Sequence, residues 1–287
     1  MNSWFRRSRA RTEEPIRTIR LNGLAPFPME THGKRDLFVS THIEDWGNWE
    51  LSGTAMVLQL LGSAADFVDV GANIGWYSLI AGHALAGRGR VHSFEPEPAN
   101  LAKLRANVTR NGLRNVAVNG WALADYEGTA QLHLSADNLG DHRLAADGGG
   151  RPSVPVEVRT LDGYGGISPE RPVVIKIDAQ GSEVQVLAGA RRLLREHPHE
   201  IVLMCEVSPC LLLAGGGSAE ALIGELSGAG YAAALIDRQR PRIKPIGWEQ
   251  LRRREAEGLA IDPAHEDDII AYRRLDGLMR PIFGLGG

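Results

Sequence analysis

Cysteine is nearly absent from this sequence. Cys205 and Cys210 are the two in 287 residues, too few for a disulfide framework and without a metal-type spacing. A reduced, cytoplasmic chain is therefore expected. A dominant charge is missing as well. Lys plus Arg number 32 against 35 Asp plus Glu, a net charge of −3, so no overall field attracts nucleic acid or an anionic membrane. No run of about 18 apolar residues occurs, and no membrane span is expected. The first 20 residues carry six arginines without an apolar stretch of signal-peptide length behind them. They read as a flexible, solvated tail, with a docking arm as the alternative. Repeats and a second composition regime are also absent, which favours one domain over two.

What is present is apolar material, 43% of the chain, arranged in alternation. DFVDVG, GRVHSFEP, LRNVAVNGWAL, VVIKID, EIVLMCEV, YAAALID and DDIIAYRR read as strands. IGWYSLIAGHAL, EPANLAKLRANVTRNG, SEVQVLAGARRLLREH and SAEALIGELSGAG read as helices between them. Strand–helix alternation predicts an α/β fold with a mostly parallel sheet and helices on both faces. Residues 126–159 break the rhythm with two period-two segments around DNLGDHRLAADGGGRP, an inserted hairpin. The expected layout is a tail over 1–20, an N-terminal extension or lid over 21–64 and the main domain over 65–287.

The chemistry starts at FVDVGANIGW, residues 67–76. In an open α/β sheet the first βα turn holds the cofactor. Gly71 permits a sharp turn close to a ligand, and Gly75 lets the helix start close to the sheet. A dinucleotide turn would place a second glycine where Asn73 stands, so that a pyrophosphate can reach the backbone. Asp69, just before the turn, would repel a phosphate and attract an ammonium. Glu95, 26 residues after Asp69, ends the second strand, where an acid suits a ribose diol. Pro96 stops that strand. A purely structural turn is the plain alternative; the two acids in register argue against it.

DVGANIGWYSL, HSFEPEPANLAKLRANVTRNG and VVIKIDAQGSEVQVLAGA together resemble the FkbM-type S-adenosylmethionine (SAM)-dependent methyltransferases, and FVSTHIEDWGNWE resembles their entry segment. The resemblance covers roughly residues 35–275. It departs at Ala179-Gln180, where Val-Glu is usual. It implies a class I methyltransferase (Rossmann-like) fold with a seven-stranded sheet, SAM as methyl donor and methylation of a hydroxyl on a small molecule, a secondary metabolite or sugar. It also implies roles. Asp69, Gly71, Ala72, Asn73 and Gly75 would line the methionyl side of SAM, Glu95 and Pro96 the ribose. The stretch Trp121, Ala122 to Asp125 would flank the adenine. Asp178 would face the transferred methyl.

An alcohol is a poor nucleophile, so a base or metal should take its proton. Asp178 ends a central strand and is the first choice; a helix N-cap is its bland alternative. Glu206, in EVSP at the end of the next strand, stands beside it. Glu183 reads as structural. His142, in the inserted loop, is a second kind of base. His92 lies inside a strand, and His197, His199 and Glu200 lie at the wrong end of the sheet. A Mg2+ ion on Asp178, Glu206 and Asp141 is the lesser expectation, and no metal site is assigned. IDAQG is not the Asn/Asp-Pro-Pro-aromatic stretch of amide and nucleobase N-methyltransferases. Trp46, Trp49 and Glu50 are read as a lid over SAM and acceptor. The competing readings are an NAD-dependent oxidoreductase and a non-catalytic SAM-binding module. The acceptor is unnamed, and a homo-oligomer stays open.

Overall fold

The computed structural model describes residues 15–145, 150–274, 277–279 and 282. Residues 1–14 of the expected tail, and 146–149 of the inserted loop, lie outside the described residues. The remainder of that tail is ordered into a sheet. β1 (Ile16–Ile19) pairs antiparallel with β2 (Phe27–Glu30), and Ile19, Phe27 and Met29 enter the core. This hairpin went unread because its strands are only four residues long.

α1 (Val39–Trp46) and α2 (Leu51–Leu60) follow. The main sheet then begins with β3 (Asp66–Val70), α3 (Trp76–Leu85), β4 (Val91–Phe94), α4 (Pro98–Arg110) and β5 (Val116–Asn119). The expected third strand stops at Gly120, whose missing Cβ leaves room for Leu101. Its continuation, β6 (Ala122–Leu123), joins a separate three-stranded sheet with β7 (Gly128–His133) and β8 (Ser153–Arg159). β7 and β8 form the anticipated antiparallel hairpin.

After α5 (Leu161–Tyr164) the chain crosses back into the main sheet as β9 (Val173–Ile177). The helix expected over SEVQVLAGARRLLREH is two pieces, α6 (Glu183–Ala188) and α7 (Arg191–Glu196). Gly189 between them packs so tightly on the Ala124 carbonyl that an added Cβ would overlap it. β10 (Ile201–Val207), α8 (Pro209–Ala214), α9 (Ala219–Gly228) and β11 (Ala232–Ile236) come next. β12 (Ile243–Ile246), α10 (Trp248–Ile261) and β13 (Asp267–Tyr272) complete the domain.

The main sheet has eight strands in the order β12-β11-β13-β10-β9-β3-β4-β5, one more than expected. The extra strand, β12, contains Lys244 and Pro245, which break apolar alternation. Proline is tolerated there because β12 is an edge strand. α10 was also missed, since among its side chains only Leu251 and Glu255 are buried. β13 runs antiparallel between β10 and β11, while β9, β3, β4 and β5 are mutually parallel. From β3 the chain winds outward to β5, then returns to β9 on the other side. Strand order therefore reverses between β3 and β9, the position where open α/β sheets bind ligands beyond their carboxyl ends.

β3 and β9 are buried throughout, and successive residues alternate between two faces. Phe67, Val174, Met204 and Ile270 fill the core on one face; Val68, Ile175, Leu203 and Ile269 fill the other. Among the described residues no helix is long and apolar enough to cross a membrane.

Candidate functional site

Period two decides which polar side chains meet. Asp69 and Lys176 share the face of Phe67 and Val174, and their Cα atoms are direct partners across β3 and β9. Two residues on, Asp178 has the same facing. Glu206 follows Met204 on that face of β10, opposite Asp268 of β13. A row of carboxylates with one lysine thus forms along the carboxyl ends.

A cavity of about 280 Å3 opens over this row. Of the residues assigned from the sequence, Glu50, Asp69, Gly71, Ala72, Asn73, Glu95, Pro96, Trp121, Ala122, His142, Asp178 and Glu206 line it. Gly75 stands behind it. That residue caps α3 with φ +98°, and an added Cβ would lie 2.6 Å from Leu104 Cδ1. Gly71 has φ +75° and abuts the Asp178 carbonyl oxygen, where a Cβ would overlap. Both glycines are required by backbone conformation and close approach. Asp125 is the exception: it is exposed and absent from the wall. The chain has turned away after Leu123, so the lining stretch is Trp121 to Leu123.

The roof comes from two insertions. Phe38, Val39, Trp49 and Glu50 belong to the N-terminal extension, and Leu139, Gly140, His142 and Leu144 to the β7–β8 loop. Asn100 of α4 holds that loop by donating to the Leu139 carbonyl at 2.8 Å. Trp46, read with Trp49 as part of a lid, is 72% exposed and takes no part. Four described non-glycine residues have positive φ, and three of them, Glu50, Asn73 and Gln180, line the cavity. Such conformations cost roughly 1–3 kcal/mol each and collect where a ligand needs a shaped wall.

Each carboxyl is tuned differently. The Asp69 Oδ2 accepts from Ser78 Oγ at 2.6 Å, and burial raises its pKa against the pull of Lys176. Glu95 accepts backbone N–H groups from Asn73 and Glu97, each at 2.8 Å, yet burial pushes it up to about 8. Glu50 is held by Tyr77 Oη at 2.7 Å, and burial raises it too. Burial works against the Lys176 ammonium, but Asp178, Glu50 and Asp69 outweigh it and raise its pKa. Its Nζ lies 3.0 Å from Asp178 Oδ2 and 4.7 Å from the centre of the Tyr77 ring.

Asp178 is not a helix cap; Ser182 holds that position for α6. Both its oxygens are engaged, one by Lys176 and one by Gln180 Nε2 at 2.7 Å. Glu206 differs. Among the described residues no donor reaches its carboxyl within hydrogen-bond distance, and burial followed by the charge of Asp178 raises its pKa well above the ordinary carboxyl value. His142 lines the cavity, but its Nδ1 accepts the Ser135 N–H at 3.0 Å. In the neutral ring Nε2 then carries the proton, which makes His142 a hydrogen-bond donor rather than the base expected of it. Asp141 is turned away and ion-paired with Arg143 and Arg151 at 2.5 and 2.8 Å, so it does not complete a carboxylate set with Asp178 and Glu206. Glu183 accepts from the Ala179 and Gly181 N–H groups and braces the turn after β9. His92 is buried against Tyr164. His197 and His199 lie at the amino end of β10.

Among the described residues, three buried polar atoms on the cavity wall have no hydrogen-bond partner: Asp69 Oδ1, Asn73 Oδ1 and Trp121 Nε1. Such atoms are costly unless a ligand satisfies them. A second cavity of about 270 Å3 shares Trp49, Glu50, Tyr77, Lys176, Asp178, Glu206 and Glu266 with the first. It extends toward Arg238 and Asp268. Neither Tyr77 nor Glu266 nor Asp268 was singled out from sequence. Their signal is positional: Tyr77 is the second residue of α3, Glu266 immediately precedes β13 and Asp268 is its second residue.

A mostly parallel sheet with this order, an antiparallel β13 inserted beside β10, and a cavity at the switch point define a class I methyltransferase fold. Residues 69–232 match the model of the Methyltransferase FkbM domain, and the chain belongs to that family. A hexuronic acid methyltransferase of Haloferax volcanii, AglP, is 27% identical over 182 residues, covering 60% of this chain and 71% of the relative. Among solved structures, the methyltransferase FkbM of Methylobacillus flagellatus is 20% identical with a TM-score of 0.43. The match covers 73% of this chain, which spans 43% of that protein's length. The Streptococcus mutans protein SMU.1697c, solved in complex with SAH, is 10% identical with a TM-score of 0.44, over 78% of this chain and 98% of the other.

Proposed function

We propose that this chain is a SAM-dependent O-methyltransferase acting on a hydroxyl of a small polyhydroxylated molecule such as a sugar moiety. One observation carries the reading: the switch-point cavity is lined by Glu50, Asp69, Glu95, Asp178, Glu206 and Glu266 against one lysine, Lys176. A cofactor with a sulfonium and an ammonium favours the ionised form of these buried carboxyls and so suits that wall, whereas a pyrophosphate would oppose it. The orphaned Asp69 and Asn73 oxygens fit an ammonium donor, and Glu95 suits a ribose diol. When bound, SAM supplies an activated methyl group on its sulfonium.

The protein's own part is to position the acceptor, exclude water and take a proton. The second cavity holds the acceptor, and Lys176 with Asp178 marks where the two cavities meet. Glu206 is the stronger candidate base, because its carboxyl is unbonded and burial, with the charge of Asp178, makes it more basic than an ordinary carboxylate. It takes the hydroxyl proton as the oxygen gains the methyl group. Asp178, fixed by Lys176 and Gln180, orients the acceptor. The loop bearing His142 closes the site from solvent and donates one hydrogen bond.

The Haloferax relative, named for a hexuronic acid, supports a sugar acceptor. The second cavity here carries five carboxyl residues, Glu50, Asp178, Glu206, Glu266 and Asp268. Its Arg238 is already paired with Glu266 and Asp268 at 2.5 and 2.9 Å. A neutral or aminated sugar therefore fits better than a uronate. Calorimetry with SAM and NAD, followed by a SAM-turnover assay on neutral, aminated and uronate sugars, tests both levels. Tight NAD binding without SAM binding refutes the cofactor; preferred turnover of the uronate refutes the acceptor class alone.

A further inference from the structure

On the opposite face of the sheet lies a second cluster of polar groups. β13 alternates, so Asp268 faces the cavities while its neighbour Asp267 faces α10. There it meets Glu255 from α10 and His265 from the turn before β13. Glu255 is 1% exposed, and among the described residues no nitrogen or hydroxyl donor reaches either of its oxygens; His265 Nε2 is likewise buried and without a hydrogen-bond partner there. His265 Nε2 stands 3.4 Å from Glu255 Oε2 and 3.5 Å from Asp267 Oδ2. The three donor atoms lie within 4.8 Å of one another, the one such group among the described residues.

These spacings have a specific meaning. Two donors bound at about 2.0–2.1 Å to a tetrahedral ion stand about 3.4 Å apart. A direct hydrogen bond would bring them closer. The site is also held open for the imidazole. The His265 ring lies against Gly258 of α10, where any Cβ would overlap it. Arg254 grips Asp267 from outside the cluster, Nη2 on Oδ1 at 2.8 Å and Nε on Oδ2, the kind of outer support that orients a metal-binding carboxylate. The His265 and Asp267 side chains keep 18% and 12% exposure, which gives an ion a way in and leaves a position for water.

We propose that Glu255, His265 and Asp267 bind one divalent transition-metal cation, with Zn2+ the best chemical match. An imidazole nitrogen with two carboxylate oxygens suits zinc; Mg2+ and Ca2+ prefer all-oxygen sets. The ion would neutralise the buried Glu255 carboxylate, whereas Asp267 already has Arg254 beside it. Its place is structural: it ties α10 to the start of β13, one residue from the acids that line the second cavity. The rival occupant is a proton shared between Glu255 and Asp267.

The test is calorimetric titration of the chelator-stripped full chain with ZnCl2, alongside MgCl2, plus thermal unfolding with and without zinc. The expected result is one tight zinc equivalent, a higher unfolding midpoint with zinc, and at least a roughly 100-fold loss of affinity in both E255Q and H265A, beyond what outer-shell changes cost. Circular dichroism checks that both variants fold; H265A changes a partly exposed side chain and keeps the test open should E255Q fail. No zinc binding by the unaltered protein, or binding that survives both substitutions, overturns the proposal. Stabilisation by magnesium alone does so too.

Discussion

The two cavities meet at Lys176 and Asp178 yet are built differently. On the β3–β5 side the acids are locked: Asp69 by Ser78, Glu95 by two backbone N–H groups. That wall is built around a local turn whose glycines, Gly71 and Gly75, have no freedom to change. On the β9–β13 side the acids come from strands distant in sequence, and Glu206 has no donor within reach among the described residues. The difference teaches a division of labour. Rigid, locally encoded groups suit a fixed cofactor, and a carboxyl with spare acceptor capacity suits a proton-taking role.

The most severe way to break the cofactor side is Gly71→Ala. Positive φ alone costs roughly 1–3 kcal/mol, and the overlap with the Asp178 carbonyl adds to it. Loss of SAM binding by calorimetry and a clear drop in unfolding midpoint are expected; normal values for both would show that the turn tolerates a side chain. Next in size is Glu206→Gln on the acceptor side. It should lower kcat by about 10^2- to 10^4-fold while the SAM Kd stays within a few-fold. Asp178→Asn should raise the acceptor KM more than it lowers kcat, and a reversed pattern would exchange the two roles.

Asp69→Asn sharpens the contrast from the cofactor side. Losing a charge-assisted hydrogen bond costs about 1.5–3 kcal/mol, so SAM affinity should fall by roughly 10- to 100-fold. The effect belongs in Kd rather than in kcat at saturation. A separate effect falls on stability. Burial holds Glu95 at about 8 and Glu183 at about 7 in the folded chain, above the ordinary value of 4.5. The folded state then keeps protons that the unfolded state releases, so stability is full below pH 4.5 and declines as pH rises toward 8. Unfolding midpoints measured across that window should fall for the unaltered protein and flatten in Glu95→Gln and Glu183→Gln. A midpoint that rises with pH in step with Glu95 would contradict the burial.

Much of the site was legible because β3, β4, β9 and β10 each end in or beside an acid: Asp69, Glu95, Asp178 and Glu206 all appear where strand periodicity places them. Loops were harder. The family resemblance placed Asp125 beside the adenine, and Asp141 stood as the third acid of the lesser Mg2+ expectation, but no period governs which way a loop side chain points. Asp125 turned to solvent, and Asp141 found Arg143 and Arg151. His142 did reach the cavity, and its hydrogen bond from Ser135 changed its role. β12 and α10 escaped notice because an edge strand and a half-exposed helix need little apolar patterning.

The sequence by itself determined the glycine turn, the strand-end acids and the family, because those depend on backbone conformation and on periods of two and 3.6 within short segments. The tertiary structure alone decided the acceptor wall and the cluster behind it. β13 pairs with β10 across more than 60 residues of chain, bringing Asp268 opposite Glu206. Its alternation then sends Asp267 to the far face to meet Glu255 and His265. No local pattern records that pairing, because it is fixed by which strand fills the gap between β10 and β11 once the helices have packed.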